Sequence, residues 1–224
     1  MTYAELVQKI RDYTEVGSEV ITTTIVNGFI RDSELKIFRE ADADYAREYA
    51  NSTFTANNKF VALPNAAGTA AERRALVVRS VVVTNSSGVQ VSLEPRDDTF
   101  LTEYNSTGST GFPKYYATFR ENAIEVAPTP DAAYVVALDY IYSPDALSTT
   151  NTTTYISLNA PELLLYACLL EAFAYLKGPM DMYKLYQEKY NEALQGFALE
   201  QTGRRRRDEY QDGALRLKLN SPSP

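Results

Sequence analysis

The stretch Asn159-Ala160-Pro161-Glu162-Leu163-Leu164-Leu165-Tyr166-Ala167-Cys168-Leu169-Leu170, continuing to Lys177, decides the fold of this chain. Asn159 or Ala160 stands at a cap, and Pro161 falls in the first turn, where its missing N–H costs nothing. From Leu163 onward the helix is apolar nearly all round, so it must be buried on every face. The rest of the chain therefore has to surround it with other helices. Gly178-Pro179 breaks the helix. A second one is expected over Asp181–Glu200, with Met182, Leu185, Tyr186, Tyr190, Ala193, Leu194 and Phe197 on one stripe. The two make an α-hairpin.

Further helices stand at the other end of the chain. Thr2-Tyr3-Ala4-Glu5 fits a capping box, and Leu6, Val7 and Ile10 follow at helical spacing, which predicts a helix from Tyr3 to Tyr13 ended by Gly17. A longer helix is expected from Thr23 to Ala50, with Val26, Ile30, Ile37, Ala41, Tyr45 and Tyr49 as its stripe. Asp32/Lys36 and Lys36/Glu40 are opposite charges at i,i+4 on its solvated side.

Between these helical segments the pattern changes. Thr53–Leu63, Leu76–Thr84, Val89–Leu93, Lys114–Phe119, Ala123–Val126 and Tyr134–Tyr142 are short runs rich in Val, Ile, Tyr, Phe and Thr, divided by Asn/Gly/Pro/Ser clusters. Asn85-Ser86-Ser87-Gly88 between two valine-rich runs reads as a hairpin turn. Asp97–Tyr104 reads as a short inserted helix with Asp97 and Asp98 as its caps. Ser143–Thr154 is a polar connection back to helix.

The fold class is therefore α+β: a helical bundle of N-terminal helices plus a C-terminal α-hairpin, with an inserted antiparallel β subdomain and an extended C-terminal tail. The expected segments are 1–50, the N-terminal helices of the bundle; 51–142, the β subdomain; 143–201, the linker and α-hairpin; and 202–224, the tail.

Composition narrows the chemistry. The 224 residues hold no histidine and one cysteine, Cys168. Ser-His-Asp and Cys-His nucleophilic sites and His/Cys zinc sites are excluded by inventory. Cys168, inside an apolar run, reads as an inert buried thiol. No glycine-rich phosphate loop, metal-loop signature or internal repeat is present, and no cofactor or metal is expected. Two carboxylates of a glycoside hydrolase remain formally available, but Asp97 and Asp98 are better explained as caps. The longest apolar run has eight residues, against the roughly 20 of a membrane span, so no membrane partner is expected. Met1-Thr2-Tyr3-Ala4-Glu5 lacks the basic and apolar run of a secretory leader, which predicts assembly in a cytoplasm. The 17 tyrosines suit surfaces that meet water or a partner.

Charge is unevenly distributed. Of the net −7, residues 201–224 contribute +3 from six basic and three acidic side chains, which leaves −10 on residues 1–200. Such a body repels a phosphate backbone. In the tail, Arg204-Arg205-Arg206-Arg207 and Tyr210 precede Leu215-Arg216-Leu217-Lys218-Leu219, whose period-2 alternation is that of a half-buried strand. One strand buries nothing alone. It pairs with the β subdomain of its own chain or adds to a sheet edge on a neighbour. The four arginines suit phosphate, solvent or carboxylates of a protein partner, and the interleaved Asp208, Glu209 and Asp212 weaken the case for nucleic acid.

Glu94-Pro95-Arg96-Asp97 through Pro113-Lys114-Tyr115-Tyr116, Asn159 through Ala167, and Met182-Tyr183 through Ala193-Leu194 together resemble the head-to-tail adaptor (connector) proteins of short-tailed bacteriophages, relatives of tail tubular protein A. The resemblance implies a structural protein of the virion, not an enzyme. It implies a homo-oligomeric ring, a dodecamer, beneath the portal protein, with the β subdomain toward the tail nozzle or tail tube protein. It also implies that the tail clasps the portal through Arg204–Arg207, Tyr210 and Leu215–Leu219, and that genomic DNA passes during ejection without specific binding. A tail or fibre attachment module that binds through a tyrosine-rich β face is the alternative reading.

Overall fold

The computed structural model describes residues 1–41, 44–64, 74–120 and 122–211, with the backbone alone at 119–120 and 204–211. The chain forms two compact units. One joins Met1–Tyr45 to the residues from Asp145 onward, and the other is Ala46–Pro144.

The helical unit is organised around a single helix. Its elements are α1 (Tyr3–Thr14), α2 (Thr23–Glu40), a 3-10 turn (Asp44–Ala46, reaching into the β unit), and, after the β unit, α4 (Tyr155–Asn159), α5 (Pro161–Tyr175) and α6 (Met180–Gln211). α5 touches α1, α2, α4 and α6. Leu163, Leu164, Leu165, Ala167, Cys168, Leu169, Leu170 and Ala172 of α5 are all buried. The all-round burial that its composition demands is thus met inside one chain. Around it lie Leu6 and Ile10 of α1, Val26, Ile30 and Ile37 of α2, and Tyr186, Tyr190 and Phe197 of α6. The turn from α5 to α6 needs its glycine, because a Cβ on Gly178 would stand 2.6 Å from the Phe173 ring. α1 opens with the expected capping box: the Thr2 side chain takes the Glu5 N–H, and Glu5 takes the Thr2 N–H at 2.8 Å.

The β unit contains β1 (Arg47–Thr53), β2 (Phe60–Ala62), β3 (Ala75–Thr84), β4 (Gln90–Ser92), β5 (Glu94–Pro95), α3 (Asp98–Tyr104), β6 (Thr110–Gly111), β7 (Tyr115–Arg120), β8 (Ala123–Ala127), β9 (Thr129–Pro130) and β10 (Val135–Tyr142). One sheet runs β1-β10-β3-β4 and a second β2-β8-β7-β5. Phe54, Val61, Val81, Val83, Leu93, Tyr116, Ile124, Val126, Val136, Leu138 and Tyr140 make one apolar core drawn from both sheets. The pairing is antiparallel except for β5 with β7 and β6 with β9, two-residue parallel contacts that the strand pattern did not anticipate. The β3–β4 hairpin turns at Asn85–Gly88, where Asn85 Oδ1 accepts the N–H groups of Ser87 and Val89 at 2.9 Å and Gly88 takes φ +80°.

Several expectations are corrected. α1 ends at Thr14 and is capped by Glu15 in a left-handed conformation (φ 54°), ahead of Gly17. α2 stops at Glu40, and Arg47–Ala50, expected as the end of that helix, belongs to a strand, Arg47–Thr53, paired residue for residue with β10. Ladder pairing outweighs the modest helix propensity of Arg-Glu-Tyr-Ala-Asn-Ser-Thr, and Arg47 forms an ion pair with Asp139 of β10. The i,i+4 pairs of α2 are not among the ion pairs of the described residues: Lys36 lies 4.6 Å over the Tyr190 ring, and Glu40 accepts the Tyr190 hydroxyl at 2.5 Å. Thr53–Leu63 is split between β1 and β2 by a turn with Asn57 at φ 62°. The polar connector ends at Thr154, which caps α4, a short helix that was not expected. Finally, α6 does not end at Glu200, so the stretch from 202, expected to be extended, is helical as far as Gln211.

Candidate partner-docking site

α6 buries Tyr186, Tyr190, Phe197 and Gln201, a stripe at spacings of four and seven. Tyr186 meets Phe173 and Tyr13, and Phe197 meets Tyr45 and Tyr155, which stack on each other at 4.8 Å. Leu199 points outward, 75% exposed. Beyond Gln201 the backbone stays helical through Arg204, Arg205, Arg206, Arg207 and Tyr210. Arginine is a good helix former, the Thr202 hydroxyl folds back onto the Ala198 carbonyl at 2.9 Å, and no proline intervenes. The structure therefore places five of the ten tail residues singled out by sequence on one helix. Leu215, Arg216, Leu217, Lys218 and Leu219 lie outside the described residues.

The buried polar groups of the helical unit hold the fold together. Glu34 of α2 accepts the Leu147 N–H at 2.8 Å and the Thr154 hydroxyl at 2.7 Å. Burial raises its pKa, against the lowering effect of those two bonds. Burial pushes the Cys168 thiol up to about 12, which leaves it without nucleophilic character at neutral pH. Burial and the adjacent Glu40 raise the Tyr190 phenol as well. Among the described residues no cluster of Cys, Asp and Glu could hold a metal ion, and no helix is long and apolar enough to cross a membrane.

The β unit carries a cluster that the sequence reading passed over. Phe100 and Tyr104, one turn apart on α3, stack at 5.8 Å, and Tyr115 of β7 meets them edge-on at 5.1 and 5.0 Å. The Arg96 guanidinium lies 5.4 Å over Phe100 and 5.7 Å over Tyr115 and bonds to Glu94 at 2.8 Å. Asp97 does occupy the N-cap of α3, as expected, but its side chain makes no capping bond. The spacing of Arg96, Phe100 and Tyr104 was the available signal; Tyr115 joins them only through β7.

What these elements can do is hold and present surfaces: a helix that continues past its buried stripe, and an aromatic cluster whose Tyr104 is exposed while Phe100 and Tyr115 are half-buried. No curated protein matches the chain. The sequence pattern of the family described as SU10 adaptor protein matches residues 1–217, through both units and into the tail. The chain belongs to the SU10 adaptor protein family, and it is a phage head-to-tail adaptor, a structural component of the virion that associates with portal and tail components.

Proposed function

We propose that the adaptor works as a closed ring, a dodecamer, seated beneath the portal, with its C-terminal segment as the portal-docking element. The observation that carries this is α6, which continues ten residues past the buried Gln201 and holds the arginine run on that continuation. Arg204–Arg207 and Tyr210 supply planar, charge-assisted and aromatic contacts, the residue types that dominate interface energetics. Leu215, Arg216, Leu217, Lys218 and Leu219 add a strand to an edge on the partner. The β unit faces the tail nozzle or tail tube protein. The net −10 on residues 1–200 gives the channel wall a sign that repels the genome, so DNA slides through without being held.

The test mixes the purified chain with purified portal of the same phage and reads mass and symmetry by light scattering and negative-stain imaging, beside a chain truncated after Gly203. Rings on the portal with the full chain, and none with the truncated one, are expected. A monomer that ignores the portal in both forms, or a free trimer, overturns the reading.

A further inference from the structure

We propose that the Phe100–Tyr104–Tyr115 cluster is the docking patch for the tail-side protein, and that this partner enters it with a lysine or arginine side chain. The inference rests on the adaptor reading above and names the chemistry of one of its contacts. Three rings in mutual contact, with Tyr104 43% exposed, offer a rigid apolar platform with polar tips, the kind of anchor that carries binding energy at protein interfaces. Within residues 94–115 four carboxylates (Glu94, Asp97, Asp98, Glu103) outnumber two cations (Arg96, Lys114). Arg96 is already held by Glu94 and the ring faces. Asp97, Asp98 and Glu103, each within one turn of a ring, have no ion-pair partner among the described residues. Asp97 sits at the cap without spending its carboxylate on it.

Aromatic rings on a segment that carries unpaired carboxylates recognise a cation twice, by cation–π attraction and by charge-assisted hydrogen bonds. Tyr104 is the most exposed of the three rings and no cation of the described residues lies over it, whereas Arg96 lies over Phe100 and Tyr115.

The experiment uses the full-length chain and, as probe, the purified tail-side protein that joins the adaptor in particles of the same phage, with portal association measured separately. Affinity is measured at about 50 and about 200 mM salt. Tyr104→Ala is expected to weaken tail-side binding at least about tenfold. Asp97→Lys with Glu103→Lys should weaken it at least about thirtyfold and flatten its salt dependence. Glu103→Gln, which keeps the shape, should give a smaller loss in the same direction, and Glu188→Lys on α6 none. Portal association should stay unchanged throughout. Tail-side affinities that move less than about twofold in the Tyr104 and Asp97/Glu103 variants overturn the proposal, as does a wild-type chain that binds portal but not the tail-side protein. A loss confined to contacts between copies overturns it too, and reassigns the patch to the ring. A wild-type chain that joins neither protein sinks the adaptor reading itself.

Discussion

The carboxylate of Glu34, in the middle of α2, accepts the backbone N–H of Leu147 at 2.8 Å, and so pins the segment that leads back from the β unit onto the helical core. Its other oxygen takes the hydroxyl of Thr154, the residue that caps α4. One side chain thereby satisfies a buried donor across 113 positions of sequence and orients the entry to the central hairpin. Glu34→Ala leaves that N–H unpaired and should cost about 1–3 kcal/mol in urea unfolding. Glu34→Gln keeps one acceptor and should cost less.

The pH dependence of this contact has a definite sign. Burial raises the Glu34 pKa above its ordinary value of 4.5, so the folded protein binds this proton more tightly than the unfolded one. The resulting stability is fully present below the ordinary value and is lost as pH rises through the raised one. Wild-type stability measured relative to Glu34→Gln should therefore fall across that window and be flat on either side. A difference that rises with pH would contradict the assignment of burial as the dominant cause.

α5 is the helix on which the unit depends. Leu164→Ala and Leu169→Ala empty positions with 0% exposure and should each cost about 2–5 kcal/mol. Leu199→Ala, on α6 but facing solvent, should change unfolding by less than about 0.5 kcal/mol. Thermal melts of the three variants check both arms.

Cys168 should be silent in the native state. Its thiol is fully buried and pushed up to about 12, so an aromatic disulfide reagent should count no thiol at neutral pH until denaturant is added, and then one. Native-state reactivity at the rate of the unfolded chain would show that α5 opens locally.

Gly88 closes the β3–β4 hairpin at φ +80°, a conformation that an L side chain enters only with strain. Gly88→Ala should destabilise the protein by about 1 kcal/mol, although a Cβ there meets nothing within 4 Å. Gly28→Ala in α2, equally free of contacts, should be neutral or stabilising, which separates backbone strain from crowding.

Much of this was legible before any coordinates. The all-round apolar α5, the capping box at Thr2, the Asn85–Gly88 hairpin and five of the six β runs follow from period, cap and turn chemistry, which are local. The basic tail was legible as composition, yet its conformation was not: Thr202–Gln211 continues α6 because adding a turn to an existing helix costs no new nucleation. Charge repeats at helical spacing misplaced Arg47–Ala50, which β10 captured as part of a strand. The aromatic cluster was overlooked because Tyr115 reaches Phe100 and Tyr104 only by strand pairing.

The sequence by itself determined the α+β class, the burial of α5, the lack of histidine chemistry and the contrast between acidic body and basic tail, because each depends on inventory or on spacing within one element. Tertiary structure decided where α2 yields to β1, that Lys36 and Glu40 turn to Tyr190 instead of to each other, that Glu34 holds Leu147, and which aromatic rings share a surface. Those outcomes depend on partners far away in the chain, and a side chain commits to whichever partner best repays its desolvation once the fold has brought them together.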